Sequence, residues 1–464
     1  MKNFRTEGIK WFFKARNVAI IGASHTKGAI GYVELENFVK GKFKGNVYAI
    51  NPFRKKILGI KCLKSIKDVP EKVDLAIIAT PNIVVPKVLE ECGQKGVKAV
   101  VIITAGFAEI GEMQLTKKLE EIIKKYPKMR VIGPNVLGIL HIKRGIDSLF
   151  NPPYRSKRPK DGKISFISQS GALGAAVLDW ASVRDYGISK FVSYGNAMDV
   201  DEADLLGFLA DDDETNVIVA YIEGVKDGRK FISAAKYATA KKPVIVIKGG
   251  LTSEGAKSVA SHTASLAGDA KVYEGVFKQC GIVQAKTLKE VFNFAKFFTN
   301  EPLLKGDRIQ IITNGGGFGV LATDAVLMNK LKLAKMQEKT RKKIQKVSPR
   351  YAIIKNPCDL TGDADNERFR VAVESCLEDK NIDGIILILL FQVPTIKPSI
   401  DKMMIKLLKN REKPVAVTSA GGKYALKHKK NLEKAGISTF NSPFSAARCL
   451  AAMWEYVKYR KKII

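Results

Sequence analysis

The sequence is short of the residues and patterns that define several large protein classes. It holds four histidines and six cysteines in 464 residues. The cysteines (Cys62, Cys92, Cys280, Cys358, Cys376, Cys449) are scattered with no CxxC pair, and so read as reduced thiols and not as a disulfide frame. The histidines lie far apart, and no metal cluster is expected from them. No apolar run approaches the roughly 18 residues that cross a bilayer. The longest, Ile385 to Phe391, is strand-sized. Met1 to Arg16 mixes charges with aromatics and lacks the apolar stretch of a signal peptide. No G-x-x-x-x-G-K-[ST] occurs, so a P-loop is excluded. The expectation is a cytoplasmic protein without metal or membrane span.

Acidic residues are the other shortage. Against 78 Lys and Arg stand 46 Asp and Glu, a net charge of +32. Nucleic-acid binding, an anionic substrate or a lysine-rich surface each fit such an excess. The basic residues are spread along the chain, and no aromatics are interleaved with them for base stacking. A solvated surface outweighs nucleic-acid binding, and part of the excess suits steering of polyanions such as CoA or ADP.

What is present is a regular alternation. Short β-branched runs (Val18 to Ile21, Val47 to Ile50, Leu75 to Ala79, Ala99 to Ile103, Arg130 to Ile132) precede small residues and then helix-length amphipathic segments. This is the pattern of parallel sheets flanked by helices. Asn151 to Lys163, rich in Pro and charge, reads as a linker, and Thr299 to Asp307 reads as a second break. The expected fold is α/β with three doubly wound domains over 1–150, 151–300 and 301–464.

A strand, a small-residue turn and a helix start recur at Asn17 to Gly28, Lys163 to Gly174 and Arg308 to Gly319. The unpaired N–H groups of such helix starts carry partial positive charge and hold anions. The first turn departs from the G-x-G-x-x-G dinucleotide fingerprint, because Ser24 stands at the second glycine position. The second strand ends in Asn51-Pro52-Phe53-Arg54-Lys55-Lys56, which is basic where an NAD site needs an acid. NAD is disfavoured; NADP and the 3′-phosphorylated ADP of CoA fit equally well. Thr80, Ile103-Thr104-Ala105-Gly106 and Gly133-Pro134-Asn135 close successive strands, at the edge where open α/β sheets bind ligands.

Gly249 to Asp269 is dense in Gly, Ser, Thr and Ala, and it reads as a loop and a poor helix. It carries His262, whose imidazole is a nucleophile near neutral pH. Glu223 ends the apolar strand Ala220 to Ile222. Either it faces water, or it binds one ring N–H of a nearby histidine and leaves the other nitrogen free to attack.

With Gly22-Ala23-Ser24, Asn51-Pro52, Ile103 to Gly106 and Gly133-Pro134-Asn135, the first domain resembles the CoA-binding domain of succinyl-CoA synthetase α chains and ADP-forming acyl-CoA synthetases. Ser261-His262-Thr263-Ala264-Ser265-Leu266-Ala267-Gly268 is similar to the phosphohistidine loop of the latter. The resemblance implies a Rossmann-like CoA-binding domain followed by two flavodoxin-like ligase domains. It implies that CoA binds at Gly22, Ala23, Ser24, Asn51, Pro52, Lys55, Thr80, Ile103, Thr104, Ala105 and Asn135. His262 would carry phosphate between acyl phosphate and ADP, with Glu223 as its orienting acid. Ser168-Gln169-Ser170-Gly171 and Asn314-Gly315-Gly316-Gly317 would be the two phosphate-holding helix starts. His25 lies in the first turn, where contact with a CoA phosphate is conceivable; His141 and His428 lack any such setting. No segment resembles an ATP-grasp nucleotide domain. A separate ATP-grasp β chain in an α2β2 assembly is therefore implied, with ADP or ATP and Mg bound there.

Overall fold

Each apolar run becomes a strand. In the computed structural model, which describes residues 3–263 and 269–463 and the side chains of all these except 260–263, three parallel-rich sheets follow one another along the chain. The first contains β1 (Asn17–Ile21), β2 (Asn46–Ile50), β3 (Ile60–Leu63), β4 (Leu75–Ile78), β5 (Ala99–Ile102) and β6 (Arg130–Ile132), in the order β3-β2-β1-β4-β5-β6. Strands such as LAII and AVVI are buried along their whole length, as expected where helices cover both faces. The order reverses between β1 and β4, and the helix α1 (Ile30–Lys40) follows the turn there. That reversal is where an open sheet makes a ligand crevice.

The second sheet is built from β7 (Ile139–His141), β8 (Ile146–Asp147), β9 (Asp161–Ser168), β10 (Ile188–Ser193), β11 (Val217–Ile222), β12 (Val244–Lys248) and β13 (Val283–Ala285). Its order is β13-β12-β11-β9-β10-β7-β8, with β7 and β8 added antiparallel at one edge. The third sheet runs β15-β14-β16-β17-β18, from β14 (Arg308–Thr313), β15 (Cys358–Asp359), β16 (Gly384–Ile388), β17 (Val415–Thr418) and β18 (Thr439–Phe440). Ile353–Ile354 extends it beyond β15, and Lys332–Leu333 also pairs with β14. Apart from these edge pieces, the last two sheets share the 2-1-3-4-5 flavodoxin-like order.

By packing the chain forms two compact units, Met1–Lys286 and Thr287–Ile464. In the first unit one apolar core runs through both sheets, joining Ile20, Val101 and Ile132 to Ile139, Val192 and Ile218. Arg130, fully buried, reinforces it. Its guanidinium pairs with Asp199 (2.9 Å) and Asp204 (2.8 Å) and donates to the carbonyls of Arg5 and Glu7. The second unit has its own core around Ile312, Phe369, Leu387 and Val417.

The small-residue segment after β12 differs from the loop expected of it. Ser253–Thr263 is helical. Thr252 caps its start by accepting from the Gly255 N–H (3.0 Å), Lys257 pairs with Glu254, and Val259 is buried. A cap, an i,i+3 pair and one apolar anchor outweigh the weak propensity of Ser and Gly. His262 lies in this helix by its backbone; its side chain, and residues 264–268, are outside the described residues. No helix among the described residues is long and apolar enough to cross a membrane.

Candidate active site

Three edges of strand ends carry the expected residues. At the first, Gly22 has φ +94°, and a Cβ there would sit 2.6 Å from the Ala79 carbonyl oxygen. Only glycine lets β1 turn so close to β4. Asn51 holds the turn from the side: its Nδ2 donates to the Ala23 carbonyl (2.7 Å), and its Oδ1 accepts from the Phe53 N–H (2.8 Å). Ser24 Oγ accepts from the Thr26 N–H, and Thr104 Oγ1 donates to the Thr80 carbonyl (2.7 Å). Asn135, with φ +63°, donates its N–H to the Thr104 carbonyl. The structure therefore brings Gly22, Ala23, Ser24, Asn51, Thr80, Thr104 and Asn135 to one crevice. Arg54 donates to His25 Nε2 (3.0 Å), and Arg54, Lys55 and Lys56 are exposed at its rim. A cationic rim over a glycine turn suits a phosphorylated ribose. Phe53, 90% exposed beside these cations, was not picked out from the sequence; its place in a basic loop at the crevice is the signal that was there to read.

The second edge is the start of α2 (Gly171–Val183). Ser170 caps it, its Oγ accepting from the Leu173 N–H (3.4 Å), and Ser168 Oγ donates to the Ser170 carbonyl (2.6 Å). The Gln169 side chain is turned towards the neighbouring strand end. Its Oε1 accepts from the N–H groups of Glu223 (2.7 Å) and Gly224 (3.1 Å), and its own N–H goes to the Tyr221 carbonyl. Gln169 thus braces the neighbouring strand end with its side chain, and the N–H groups that open a helix are the ones that suit an anion.

That strand end carries Glu223, only 4% exposed. The Tyr221 phenol hydrogen-bonds to it, and burial followed by the Glu223 charge pushes the Tyr221 hydroxyl above its ordinary range. Beside it ends β12, whose last residue Lys248 is buried. Burial pulls the Lys248 ammonium down to about 8, against the opposing pull of Glu223. Sequence reading passed over Lys248, since a lysine that ends an apolar strand reads as a solvated element end. Glu223 thus faces the protein and not bulk water.

The third edge, in the second unit, is the start of α3 (Gly316–Met328), with Gly315 at its cap position. Thr313 Oγ1 donates to the Gly315 carbonyl (3.0 Å). Asn314 is turned inward in the same way as Gln169: its Oδ1 accepts from the Leu390 N–H (3.0 Å) and its Nδ2 donates to the Leu390 carbonyl. The two helix starts are thus built alike, a hydroxyl bonded two residues on and an amide bracing the adjacent strand end. Where one strand end bears Glu223, the other bears Leu390. Gly315, Gly316 and Gly317 remain the backbone available for an anion there.

A glycine-turn crevice on the first sheet is thus followed by two capped helix starts on flavodoxin-like sheets, and known families match each part. Residues 16–142 match the CoA binding domain, 161–298 the succinyl-CoA ligase like flavodoxin domain, and 309–461 the ligase-CoA domain. The II subunit alpha of the ADP-forming acetate–CoA ligase of Pyrococcus furiosus is 42% identical over 458 residues, covering 97% of this chain and 98% of that one. The ADP-forming acetate–CoA ligase of Methanocaldococcus jannaschii is also 42% identical, over 97% of this chain, but this chain spans only 63% of that relative's length. An acetyl-coenzyme A synthetase 1 of Candidatus Korarchaeum cryptofilum, described as dinucleotide-forming and solved with phosphate and ADP, superposes with a TM-score of 0.93 at 36% identity, over 99% of this chain and 98% of that one. The chain belongs to the family of ADP-forming acetate–CoA ligase α subunits.

Proposed function

We propose that this chain is the α chain of an ADP-forming acyl-CoA synthetase. It interconverts acyl-CoA, phosphate and ADP with a carboxylic acid, CoA and ATP, through acyl phosphate and a phosphohistidine at His262. A β partner supplies the nucleotide end; its ATP-grasp nature, an α2β2 assembly and Mg bound with the nucleotide belong to the same reading. The observation that carries it is the brace of Gln169 on the backbone of Glu223, which fixes an acid on the strand end beside a capped helix start. The family relationship along 97% of the chain supplies the context.

In the acyl-CoA direction, a phosphate oxygen attacks the thioester carbonyl carbon, the C–S bond breaks, and CoA leaves with its sulfur protonated from solvent. The CoA nucleotide is held at Gly22, Asn51 and the Arg54–Lys56 rim. An imidazole nitrogen of His262 then attacks phosphorus, the P–O bond to the acyl group breaks, and carboxylate leaves. Glu223 accepts the hydrogen bond of the other ring nitrogen, and the N–H groups opening α2 offset the charge on phosphorus. The phosphoryl group finally passes to ADP on the partner.

The full chain incubated with radioactive phosphate and acetyl-CoA is expected to take up acid-labile, base-stable label. His262→Ala is expected to take up none, a loss of more than 100-fold. Undiminished acid-labile label on His262→Ala would sink the assignment.

A further inference from the structure

We propose that Lys248 is a positioning residue for phosphoryl transfer, its ammonium tying the strand end that bears Glu223 to the root of the segment that bears His262. This rests on the reaction proposed above and adds a residue to it.

Lys248 closes β12, and the helix Ser253–Thr263 begins five residues later. Its Nζ donates to the carbonyl oxygen of Glu223 (2.7 Å) and to that of Gly249. It also lies 4.5 Å from the centre of the Tyr273 ring. The Tyr273 hydroxyl in turn accepts from the Val225 N–H (3.0 Å), and the Gly249 N–H donates to the Ile222 carbonyl (2.9 Å). Together with the Gln169 brace, these bonds fix the backbone from Ile222 to Val225 on both sides. A Cβ on Gly249 would lie 2.6 Å from the Tyr221 hydroxyl, so the root of the histidine segment passes directly over the phenol bonded to Glu223.

A bare hydrocarbon would fill this space without the penalty of burying an ammonium. The ammonium is nevertheless present, against two neutral carbonyls and an aromatic face, with the Glu223 charge acting on it. The chemistry gives it a use. Glu223 alone would repel an arriving phosphate; the Lys248 ammonium, on which the Glu223 charge acts, offsets that repulsion without a direct bond that neutralises the carboxylate. The carbonyl bonds also hold the pivot of the histidine segment at one distance from the acid.

The test is single-turnover labelling of the full chain with radioactive phosphate and acetyl-CoA, in wild type, Lys248→Met and Lys248→Arg, with melting temperature and half-saturating acetyl-CoA measured alongside. Lys248→Met is expected to slow labelling at least tenfold, with half-saturation within twofold, because CoA is held on the first sheet. Lys248→Arg, which keeps charge and donors, is expected to label within about threefold of wild type. Wild-type labelling by Lys248→Met overturns the proposal. So does a Lys248→Met chain whose acetyl-CoA binding and melting temperature fall together with its rate, which marks a structural role only. If Lys248→Met does not fold, a folded Lys248→Arg that labels tenfold slowly overturns it. Absence of label on wild type would instead overturn the reaction itself.

Discussion

Glu34 illustrates how a single residue sets a pH response. It lies on α1, fully buried, and neither carboxyl oxygen has a hydrogen-bond partner among the described residues. Burial, with a smaller push from Asp147, raises its proton affinity well above the carboxylate range. In the unfolded chain a glutamate ionises near about 4.3. Between that value and the raised folded value, folding takes up a proton, so Glu34 lowers stability progressively as pH rises through this window. Glu34→Gln removes the titration. Its melting temperature is expected to exceed that of wild type at pH 8, by an amount that shrinks to nothing near pH 4. Calorimetry at the two pH values checks this, and an equal shift at both refutes it.

At the scale of elements, the strands and the three strand–turn–helix units were legible because apolar runs, small turns and helix starts are local signals. Glycine at Gly22 and the hydroxyls of Ser168 and Ser170 could be read for the same reason. The helix Ser253–Thr263 was not legible. Its residues have poor propensity, its cap from Thr252 is a single local hydrogen bond, and its anchor Val259 acts through packing. Nor were the inward-turned amides of Gln169 and Asn314, whose partners Glu223 and Leu390 lie 54 and 76 residues away. The histidine segment is followed by α4 (Ala270–Cys280), whose first turn is capped by Asp269 through the Lys271 N–H (2.6 Å). Asp269→Ala removes that cap at a cost of about 1 kcal/mol. Amide exchange in residues 270–273 is expected to rise about fivefold while exchange in β12 stays unchanged; equal protection in both variants would contradict the capping role.

For the whole molecule, the chain divides into two compact units, each with its own buried apolar residues, and this has a direct consequence for fragments. The second unit keeps its sheet, its core and the ion pair of Arg411 with Glu301 (2.6 Å) inside 287–464. A fragment of residues 287–464 is expected to fold alone, with one cooperative thermal transition by circular dichroism. A fragment of residues 1–132 is expected to melt without a sharp transition, because its core continues into the second sheet and Arg130 loses Asp199 and Asp204.

The Arg130 cluster also tells an engineer where chimeras of this family can be spliced. A crossover between the first and second sheets must carry Arg130, Asp199 and Asp204 from the same parent, together with the opening strap at Arg5 and Glu7. Lys286–Thr287, by contrast, is the boundary between the two compact units. Libraries that shuffle the C-terminal ligase domain at that seam should therefore retain far more folded members than libraries cut at the Pro-rich linker.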